Sequence, residues 1–530
     1  MRFLYTLFTL FIYISAQAQQ QAAIIPMPAG FVAGKGLFTL NNKVTIGYTD
    51  EQLKAVAHYF QYELLRQKGI TIQQKNGSAN ILLVLKPTKK KSDPNAYQVS
   101  IKPDQVIISG NHPKGIFYGA ISLLQLALTG KSNQLPVAEI SDAPAYGWRG
   151  FMLDESRHFF GKEKVKSILN WMAFYKLNTF HWHLTDEPAW RLEIKKYPKL
   201  ALIGGIGDYL NPDLPAQFYT QADIKEIIAY AAERYIEVIP EIDMPGHATA
   251  ANKAYPEYSG GGSAGHPEFT FNPGLEKTYT YLTNILKETN ILFPSGIIHL
   301  GGDEVSFGNE KWNTNPDILK LRQQENLQDN AAVEHYFIKR MADSLYQLHA
   351  KAIFWDEMAD TDLPKDKTIM FWWRQEKPQQ LQTALRKGYN TVLCPRLPLY
   401  FDFVQDSTHQ YGRKWNKLYN PIQQVYAFDA YSYARNDQEK SLILGIQANL
   451  WTETVDHDRR LDFLLFPRIA ALAEAAWVPQ EKKDFKTFST NLTGHLALYS
   501  KAGLYYYDPS KTLLHPEIPV KQKKPLNYKD

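Results

Sequence analysis

The chain of 530 residues has a single cysteine, Cys394, so no disulfide can form within it. Its formal net charge is only +5, and the short lysine runs at 86–91 and 520–524 contain no aromatic residues. Beyond the first 20 or so residues, no apolar run reaches the roughly 20 residues that a membrane-spanning helix needs. These deficits exclude a disulfide-stabilised scaffold and argue against binding to nucleic acid or crossing a membrane.

The first 18 residues, MRFLYTLFTLFIYISAQA, combine an early Arg2 with an apolar stretch and a small-x-small ending at Ala16 and Ala18. This pattern is typical of a secretory signal peptide that is cleaved after Ala18. We therefore expect an exported protein, either periplasmic or secreted. The sequence leaves its oligomeric state open.

Residues 19–142 predict a small α+β domain with two helices, at 51–69 and 114–130. The proline-containing segment 135–148 is typical of a linker, and the tail at 506–530 is rich in lysine and proline. No catalytic constellation is visible in this first domain. Its predicted strands are VTIGY (44–48), NILLVLK (80–86), AYQVSI (96–101) and QVIISG (105–110).

From residue 143 to 505, strand patterns alternate with amphipathic helical patterns such as 162–177 and 221–235. A last helical pattern at 463–477 would close the array. Eight such alternations predict a (β/α)8 barrel as the second domain. The predicted strands are WRGFMLDE (148–155), NTFHWHL (178–184), YIEVIPEI (235–242), GIIHLGG (296–302), KAIFWDE (351–357), TIMFWW (368–373), NTVLCP (390–395) and LILGIQANLW (442–451).

Polar and aromatic residues cluster around these predicted strands. Barrel enzymes gather their catalytic residues at the C-terminal ends of the strands, so the convergence of these clusters indicates a pocket. They contain Arg149 and Asp154; His181, His183 and Asp186; Asp243 and His247; Asp303 and Glu304; Trp355, Asp356 and Glu357; Trp373; Tyr400 and Asp402; Trp451 and Glu453.

The segment HLGGDEVSFG (299–308) places two acids, Asp303 and Glu304, side by side after a buried strand. Neighbouring residues of a strand point to opposite faces, and a retaining glycosidase that uses two carboxylates normally takes them from different strands. Two adjacent acids therefore suggest that Asp303 and Glu304 do not have the two roles, nucleophile and proton donor, of such a glycosidase.

Two interpretations of the pocket arise from the residues. The H-x-H pattern of His181 and His183 would allow a metal hydrolase, but the fifth and sixth strands end in WDE and FWW and supply no histidine. Both histidines are better interpreted as supporting residues. In a glycosidase, by contrast, Trp355, Trp373 and Trp451 would form the walls of a pocket for one pyranose ring.

An ordered set of motifs between Ala143 and about Leu504 resembles the family-20 glycoside hydrolases, the β-N-acetylhexosaminidases. G-G-D-E alone would be a weak signal, but the complete set in the family's order is highly specific. One departure is Glu187-Pro188-Ala189, where the family often has Asp-Gln-Gly, and this leaves the contacts to the leaving group open. The motifs are RGFMLDESRHF (149–159), HWHLTDEPAWR (181–191), DMPGH (243–247), HLGGDE (299–304), WDE (355–357), YFD (400–402) and NLWTE (449–453).

The resemblance implies a retaining exo-β-N-acetylhexosaminidase that acts on N-acetylhexosamine-containing glycans and needs no metal or other cofactor. In this family the nucleophile is the substrate's own 2-acetamido oxygen. Glu304 would then be the general acid, and Asp303 would accept a hydrogen bond from the acetamido N–H. Ionised Asp303 and the apolar wall should raise the pKa of Glu304.

The same resemblance implies roles for the remaining positions. Arg149 would bind the 3- and 4-hydroxyls, with Asp402 and Glu453 as further hydroxyl acceptors. Tyr400 would donate its hydroxyl to the acetamido oxygen, and Trp355, Trp373 and Trp451 would enclose the acetyl methyl and the ring. Asp186 and His247 would orient Glu304.

Two alternatives to this activity stay open. One is a disaccharide-releasing enzyme of the same family, and the other is a carbohydrate-binding protein on an inactive barrel.

Overall fold

The structure, a computed structural model, describes residues 23–520 except 76, 89–91, 131, 415 and 416. The predicted signal peptide at 1–18 and the end of the predicted tail, 521–530, lie outside the described residues. Among the described helices, none is both long and apolar enough to cross a membrane. A seven-stranded sheet with two helices is followed along the chain by a closed barrel of eight strands.

The N-terminal domain contains the four strands and both helices that the sequence predicts. Three further strands complete its sheet, whose order is β1-β7-β5-β6-β4-β2-β3. The elements are β1 (Gly30–Thr39), β2 (Thr45–Tyr48), α1 (Lys54–Lys68), β3 (Gln73–Gln74), β4 (Ile81–Leu85), β5 (Tyr97–Ile101), β6 (Val106–Gly110), α2 (Pro113–Thr129) and β7 (Gln134–Asp142).

The predicted linker at 135–148 is wrong, because most of it is strand β7. This strand lies inside the sheet and pairs antiparallel with both β1 and β5. Pro136 pairs opposite Leu37 of β1 but lies beyond the end of β5. Its missing N–H therefore removes no hydrogen bond on the β5 side, which is how a proline is tolerated here.

All eight predicted barrel strands are present, and they pair in parallel to close the barrel. The predicted fold class, a (β/α)8 barrel after a small α+β domain, is thereby confirmed. The barrel strands are β8 (Trp148–Asp154), β9 (Thr179–His183), β10 (Glu237–Glu241), β13 (Ile297–His299), β14 (Lys351–Trp355), β15 (Thr368–Trp372), β16 (Asn390–Leu393) and β17 (Ile443–Leu450). A small hairpin, β11 (Ser259–Gly261) and β12 (Thr270–Phe271), lies between β10 and β13.

Helices follow most of the barrel strands, but only a short 3-10 turn, Asp356–Asp360, connects β14 to β15. The single helix predicted at 463–477 is two helices, because Pro467 lacks the N–H that a continuous helix needs. The helices are α3 (Lys162–Phe174), α4 (Lys199–Leu202), α5 (Gln221–Ala232), α6 (Thr249–Ala254), α7 (Glu276–Leu292), α8 (Pro316–Gln324), α9 (Asn330–Gln347), α10 (Pro378–Lys387), α11 (Arg396–Leu399), α12 (Ile422–Ala427), α13 (Asp437–Leu442), α14 (Asp458–Leu465), α15 (Arg468–Trp477) and α16 (Phe485–Lys501).

Helix α2 joins the two domains at the N-terminal end of the barrel. It is buried along almost its whole length, because it packs against the sheet of its own domain and against α3 and α16 of the barrel. Its Tyr118 hydroxyl lies 2.9 Å from Arg149 Nη2 near the start of β8, and its Gln125 amide donates to the Phe174 carbonyl. The first domain thus covers one end of the barrel and leaves the C-terminal strand ends for a site.

Candidate active site

A cavity of about 970 Å³ lies at the C-terminal ends of the barrel strands. This volume is at the upper end of the roughly 300–1,000 Å³ that is usual for small-molecule sites. The cavity wall contains nine of the predicted site residues but neither Arg149 nor Asp402. The nine are Asp186, His247, Asp303, Glu304, Trp355, Trp373, Tyr400, Trp451 and Glu453.

Asp303 and Glu304 both line this cavity because the chain leaves strand geometry just before it reaches them. Gly301, Gly302 and Glu304 have φ values of +67°, +84° and +55°. A Cβ at Gly301 would lie 1.7 Å from Asp243 Oδ1, so only glycine fits there. The left-handed conformation of Glu304 is strained, and such strain concentrates at functional sites. The strand alternation that would separate two adjacent acids therefore does not apply.

His247 lies between the acid pair and Asp186. Its Nδ1 is 3.0 Å from Asp186 Oδ1, and its Nε2 is 3.6 Å from Glu304 Oε2 and 3.7 Å from Asp303 Oδ2. Burial alone would lower the pKa of His247, but the negative charge of Asp186, which contacts Nδ1, holds this pKa well above its usual range. His247 is therefore a cation with one N–H on Asp186 and the other facing the two acids.

The two acids have opposite pKa shifts. Burial, aided by the charge of Asp243, raises the pKa of Asp303 well above its usual range. Burial would also raise the pKa of Glu304, but the contact with His247 and the charge of Arg157 outweigh it and lower that pKa. The predicted rise in the pKa of Glu304 is therefore wrong for the protein by itself, because two cations face this carboxyl.

Arg157 lines the cavity although it is absent from the predicted site residues. Its Nη1 lies 2.8 Å from Asp186 Oδ2 and 3.3 Å from Asp154 Oδ2, and its Nε lies 3.6 Å from Glu453 Oε1. The guanidinium also stacks over Trp451 at 4.9 Å. Burial would lower the pKa of Arg157, but these carboxylates raise it well above its usual range. A permanent cation thus faces the pocket beside Glu453.

The predicted role of Arg149 in sugar binding is wrong. Arg149 is the second residue of β8, so it lies at the opposite end of the barrel from the cavity. It is buried, and it donates to the carbonyls of Tyr146 and Lys176 and to the Tyr118 hydroxyl at 2.9 Å each. Its guanidinium also lies 4.9 Å from the Trp477 ring. Arg149 therefore holds the N-terminal domain to the barrel.

Three tryptophans and Tyr400 form an aromatic wall in the cavity. The rings of Trp373 and Tyr400 are stacked at 6.3 Å, and those of Trp355 and Trp451 lie 6.0 Å apart. The indole N–H of Trp373 donates to Glu357 at 3.1 Å, which fixes the orientation of this ring in the wall. Burial raises the pKa of Tyr400 well above its usual range, so its hydroxyl stays protonated and can donate a hydrogen bond.

Asp402 is buried behind Arg413 rather than in the cavity wall. The Nε of Arg413 lies 3.1 Å from Asp402 Oδ2, and its Nη2 lies 3.4 Å from Glu453 Oε1. Burial raises the pKa of Asp402 to about 7. Glu453 itself lines the cavity between Arg157 and Arg413, so of the two predicted hydroxyl acceptors it is the one in direct reach of a ligand.

Residues 146–480 match the catalytic domain of glycosyl hydrolase family 20, and residues 21–143 match domain 2 of the same family. The chain belongs to glycosyl hydrolase family 20. The resemblance predicted from the motifs is thereby confirmed, and so is the predicted enzyme class, a glycoside hydrolase.

Individual members of family 20 agree with this assignment. A β-hexosaminidase of Porphyromonas gingivalis is 33% identical over 92% of this chain and 64% of its own length. A β-hexosaminidase of Vibrio furnissii is 36% identical over 75% of this chain and 67% of its own length. The chain thus spans less than two thirds of the first relative's length.

Solved structures of family 20 match the whole architecture. The exo-β-N-acetylglucosaminidase from Vibrio harveyi in complex with N-acetylglucosamine has a TM-score of 0.85 and 31% identity, covering 92% of this chain and 79% of that chain. The β-N-acetylhexosaminidase from Bacteroides fragilis has a TM-score of 0.78 and 30% identity, covering 91% and 96%. Both likenesses include the N-terminal domain and the barrel.

Beneath the family-20 pocket lies a buried carboxylate, Glu241, which the sequence did not single out. Its oxygens lie 2.5 Å from His183 Nδ1 and 3.0 Å from both His181 Nε2 and His299 Nδ1. The other nitrogen of His183 lies 2.8 Å from Asp186 Oδ2. A line of alternating charges therefore runs from Glu241 through His183, Asp186 and His247 to Glu304. Glu241 also accepts the indole N–H of Trp355 at 2.8 Å.

Three groups of described residues place possible metal ligands close together: His181, Glu241 and His299; Asp186, Glu187 and His247; and Asp243, His247 and Asp303. In the first group, His181 and His299 both have protein contacts at Nδ1, whereas His299 Nε2 is buried without a hydrogen-bond partner among the described residues. The Gln447 amide lies 3.0 Å from His181 Nδ1, and the Gly301 N–H donates to His299 Nδ1 at 3.0 Å. The absence of a required metal stays a prediction.

Proposed function

We propose that the protein is a retaining exo-β-N-acetylhexosaminidase that removes terminal β-linked GlcNAc or GalNAc from glycans or chitooligosaccharides. The observation that carries this proposal is the pair Asp303 and Glu304, whose side chains both line one cavity with a tryptophan wall and the Tyr400 hydroxyl. Two enzymic carboxylates in a double displacement lie on opposite sides of the sugar, whereas a substrate-assisted reaction needs one acid and one acetamido partner. The described activities of the relatives support the same conclusion.

In the proposed reaction the 2-acetamido oxygen attacks C1 while Glu304 protonates the leaving oxygen. Asp303 accepts the acetamido N–H, and Tyr400 donates its hydroxyl to the acetamido oxygen. The C1–O bond to the leaving group breaks as the oxazolinium ring forms, and water activated by Glu304 then opens it with retention. Holding the internal nucleophile close to C1 removes much of the entropic barrier.

The pKa shifts of the acid pair give this reaction a specific first step. In the protein by itself, the raised pKa of Asp303 and the lowered pKa of Glu304 favour a proton on Asp303. An acetamido N–H favours the ionised form of Asp303, and the sugar excludes water from Glu304, which raises the pKa of that carboxyl. We infer that binding transfers the proton from Asp303 to Glu304 and so creates the general acid.

The test of this function is hydrolysis of a chromogenic β-GlcNAc glycoside and of the matching β-glucoside, each with and without a chelator. We expect turnover of the first substrate alone, at a rate that the chelator does not change, because the acetamido group is the nucleophile. Equal rates on both substrates would contradict the proposal by indicating an enzymic nucleophile. Loss of activity with the chelator would favour the metal-dependent alternative.

The order of products from a β-1,4-linked GlcNAc trisaccharide separates the proposed exo action from the disaccharide-releasing alternative. An exo enzyme with a pocket for one ring produces monosaccharide and disaccharide in equal amounts at early times, with the monosaccharide taken from the non-reducing end. We expect this result when the reducing end is labelled, because the label then stays on the disaccharide. Label on the monosaccharide would indicate release of a disaccharide.

We also propose that the protein is exported, on the basis of the pattern at residues 1–18. N-terminal sequencing of the protein from a fractionated native host should give a chain beginning at Gln19 outside the cytoplasm. A cytoplasmic protein that retains Met1 would contradict export.

A further inference from the structure

We propose that Glu517, in the C-terminal tail, is a positioning residue for the pocket and acts through the loop that carries Arg413. This loop connects α11 to α12 and spans residues 400–421. The inference rests on the proposed function, because a sugar in the cavity is the ligand that Glu453, a partner of Arg413, would bind. It gives a role to the tail, for which the sequence predicts none.

The Glu517 carboxylate binds two parts of the barrel domain at once. It accepts the backbone N–H groups of Gln410 and Tyr411 in the loop, the second at 2.9 Å. Its Oε1 also lies 3.2 Å from Nη1 of Arg460, a residue of α14. The side chain of Glu517 is only 10% exposed, so these contacts are largely shielded from water. Hydrogen bonds to an ionised group are also among the stronger ones in proteins.

Arg460 connects this carboxylate to the backbone beside Arg413. Its side chain is completely buried, and burial lowers its pKa while the charge of Glu517 opposes that shift. The preceding residue of the loop, Gly412, has a φ of +132°, and a Cβ there would lie 2.8 Å from Arg460 Nη2. The loop therefore packs directly on the guanidinium. Without the charge of Glu517, Arg460 would lose the compensation that a buried charge requires, and the loop packed on it would shift.

The fold of the tail holds the carboxylate in place. We call residues 505–517 the C-terminal hook. The Tyr505 hydroxyl donates to the Pro516 carbonyl at 2.6 Å, which closes the hook directly before the carboxylate. The Tyr507 hydroxyl donates to Asp406 Oδ2 at 3.1 Å, in the same loop that the carboxylate binds. The hook therefore holds the loop at two separate points.

Arg413 connects the position of the loop to the cavity wall. Its Nε lies 3.1 Å from Asp402 Oδ2, and its Nη2 lies 3.4 Å from Glu453 Oε1. The Nε of Arg157 lies 3.6 Å from the same oxygen of Glu453, so two cations hold this carboxylate. A shift of the loop would remove one of them and weaken the contact of Glu453 with a sugar hydroxyl. The acid pair, which follows β13, would keep its geometry.

The first test is Glu517→Gln, which keeps one acceptor oxygen but removes the charge that compensates Arg460. KM for a chromogenic β-GlcNAc glycoside should rise roughly fivefold, because a displaced carboxylate weakens rather than removes its hydrogen bond to the sugar. The value of kcat should stay within about twofold of wild type, since a contact made equally in bound substrate and transition state changes KM alone. The Kd of GlcNAc, measured by calorimetry, should rise by the same factor as KM.

A double-mutant cycle with Arg413→Ala distinguishes positioning from a general loss of stability. Arg413→Ala should raise KM by itself, and adding Glu517→Gln should then change KM by less than about twofold, because the two residues act in series. An equal rise in both backgrounds would overturn the inference. It would also be overturned if Glu517→Gln lowered the free energy of unfolding but kept the wild-type KM and Kd, since the hook would then only stabilise the fold.

Tyr505→Phe keeps the inference testable if the Glu517 variant does not fold. It removes only the hydroxyl that closes the hook, and it should raise KM and Kd roughly twofold. Unchanged values in this variant, with Glu517→Gln unfolded, would overturn the inference. Glu481→Gln is the matched control, because Glu481 is exposed in the 3-10 turn Gln480–Lys482 and the substitution removes the same charge. It should leave KM, kcat and Kd unchanged.

The two readouts also separate this inference from the proposed function. If wild type binds GlcNAc but does not hydrolyse the glycoside, the proposed function fails, and the Kd values still decide the role of Glu517. If wild type neither binds GlcNAc nor hydrolyses the glycoside, both are overturned. If wild type does both and Glu517→Gln changes neither KM nor Kd, only the role of Glu517 is overturned.

Discussion

Two arginines eight residues apart, Arg149 and Arg157, serve the two ends of the same barrel. Arg149 donates to neutral oxygens, and burial lowers its pKa. Arg157 faces Asp154, Asp186 and Glu453, and their negative charges raise its pKa in spite of burial. The first arginine joins two domains, whereas the second belongs to a network of charges that is shared with the cavity.

The difference extends beyond the two arginines. At the N-terminal end, the buried acid Glu474 accepts the Met27 N–H at 2.9 Å, and burial raises its pKa to about 8. At the C-terminal end, Glu304 faces His247 and Arg157, which lower its pKa. Buried charges therefore stabilise the fold at one end and prepare the chemistry at the other, in line with the general division of labour in barrel enzymes.

The largest expected effect comes from the acid at the catalytic end. Glu304→Gln keeps the shape of the side chain but removes the transferable proton, so kcat should fall by about 10²–10⁴-fold. The free energy of unfolding should change little, because Glu304 is partly exposed and its conformation is strained. Steady-state kinetics together with urea unfolding measure both quantities. An unchanged kcat would contradict the assignment of Glu304.

Exchanging each of the two arginines for lysine tests the comparison directly. Arg157→Lys should lower kcat/KM by about 10-fold or more with a small change in stability, because lysine cannot contact Asp186 and Glu453 in the same forked geometry. Arg149→Lys should lower the free energy of unfolding by about 2–4 kcal/mol, because the single ammonium group of lysine cannot reach all three buried acceptors of the guanidinium. Its kcat/KM per folded molecule should stay near the wild-type value.

Kinetics and thermal unfolding of both lysine variants decide the outcome. The reverse pattern, with activity lost in Arg149→Lys alone, would show that the sequence-based assignment of Arg149 to the substrate was right after all.

The barrel was predictable because each parallel strand, buried on both faces, appears in the sequence as an apolar run between helical patterns. Strand β7 was missed because Pro136 resembles a linker residue, and only pairing with β1 and β5 shows that its missing N–H is harmless at that position. Cavity residues were predictable wherever a motif follows the end of a strand. Arg149 was misassigned because a motif does not show which of its residues starts the strand.

The electrostatics of the site could not be predicted from the sequence. His247 follows β10, Arg157 follows β8 and Glu304 follows β13, so their charges meet only in the closed barrel. For the same reason Glu241, a single glutamate within a strand, carried no signal of its four buried contacts.

A smaller effect is expected from Glu474 at the N-terminal end. Because its pKa is raised from 4.5 to about 8 on folding, its contribution to stability is complete below pH 4.5 and is lost as the pH rises through 8. Wild type should therefore be more stable at pH 5 than at pH 8. Glu474→Gln, which keeps the acceptor for Met27, should reduce this difference by about 1–3 kcal/mol. Urea unfolding at both pH values provides the measurement, and an unchanged difference would contradict the raised pKa.

The smallest effect, and the one that distinguishes the two ends most sharply, is expected from Glu241→Gln. The charges of His299, His183 and His181 outweigh burial and hold the pKa of Glu241 well below its usual range, so wild type has an anion there. Glutamine removes that anion, which is the charge that raises the pKa of His183 most, so the positive charge on the line that leads to Glu304 is weakened.

The pKa of Glu304 in the free enzyme should then rise by less than about one unit, since the change acts through three intervening residues, His183, Asp186 and His247. The acidic limb of the kcat/KM profile should shift to higher pH by the same amount, while Glu474→Gln should leave this profile unchanged. A merely structural role for Glu241 would reduce stability without moving the profile, and a shift in the Glu474 variant would mean that the two ends of the barrel are not electrostatically separate.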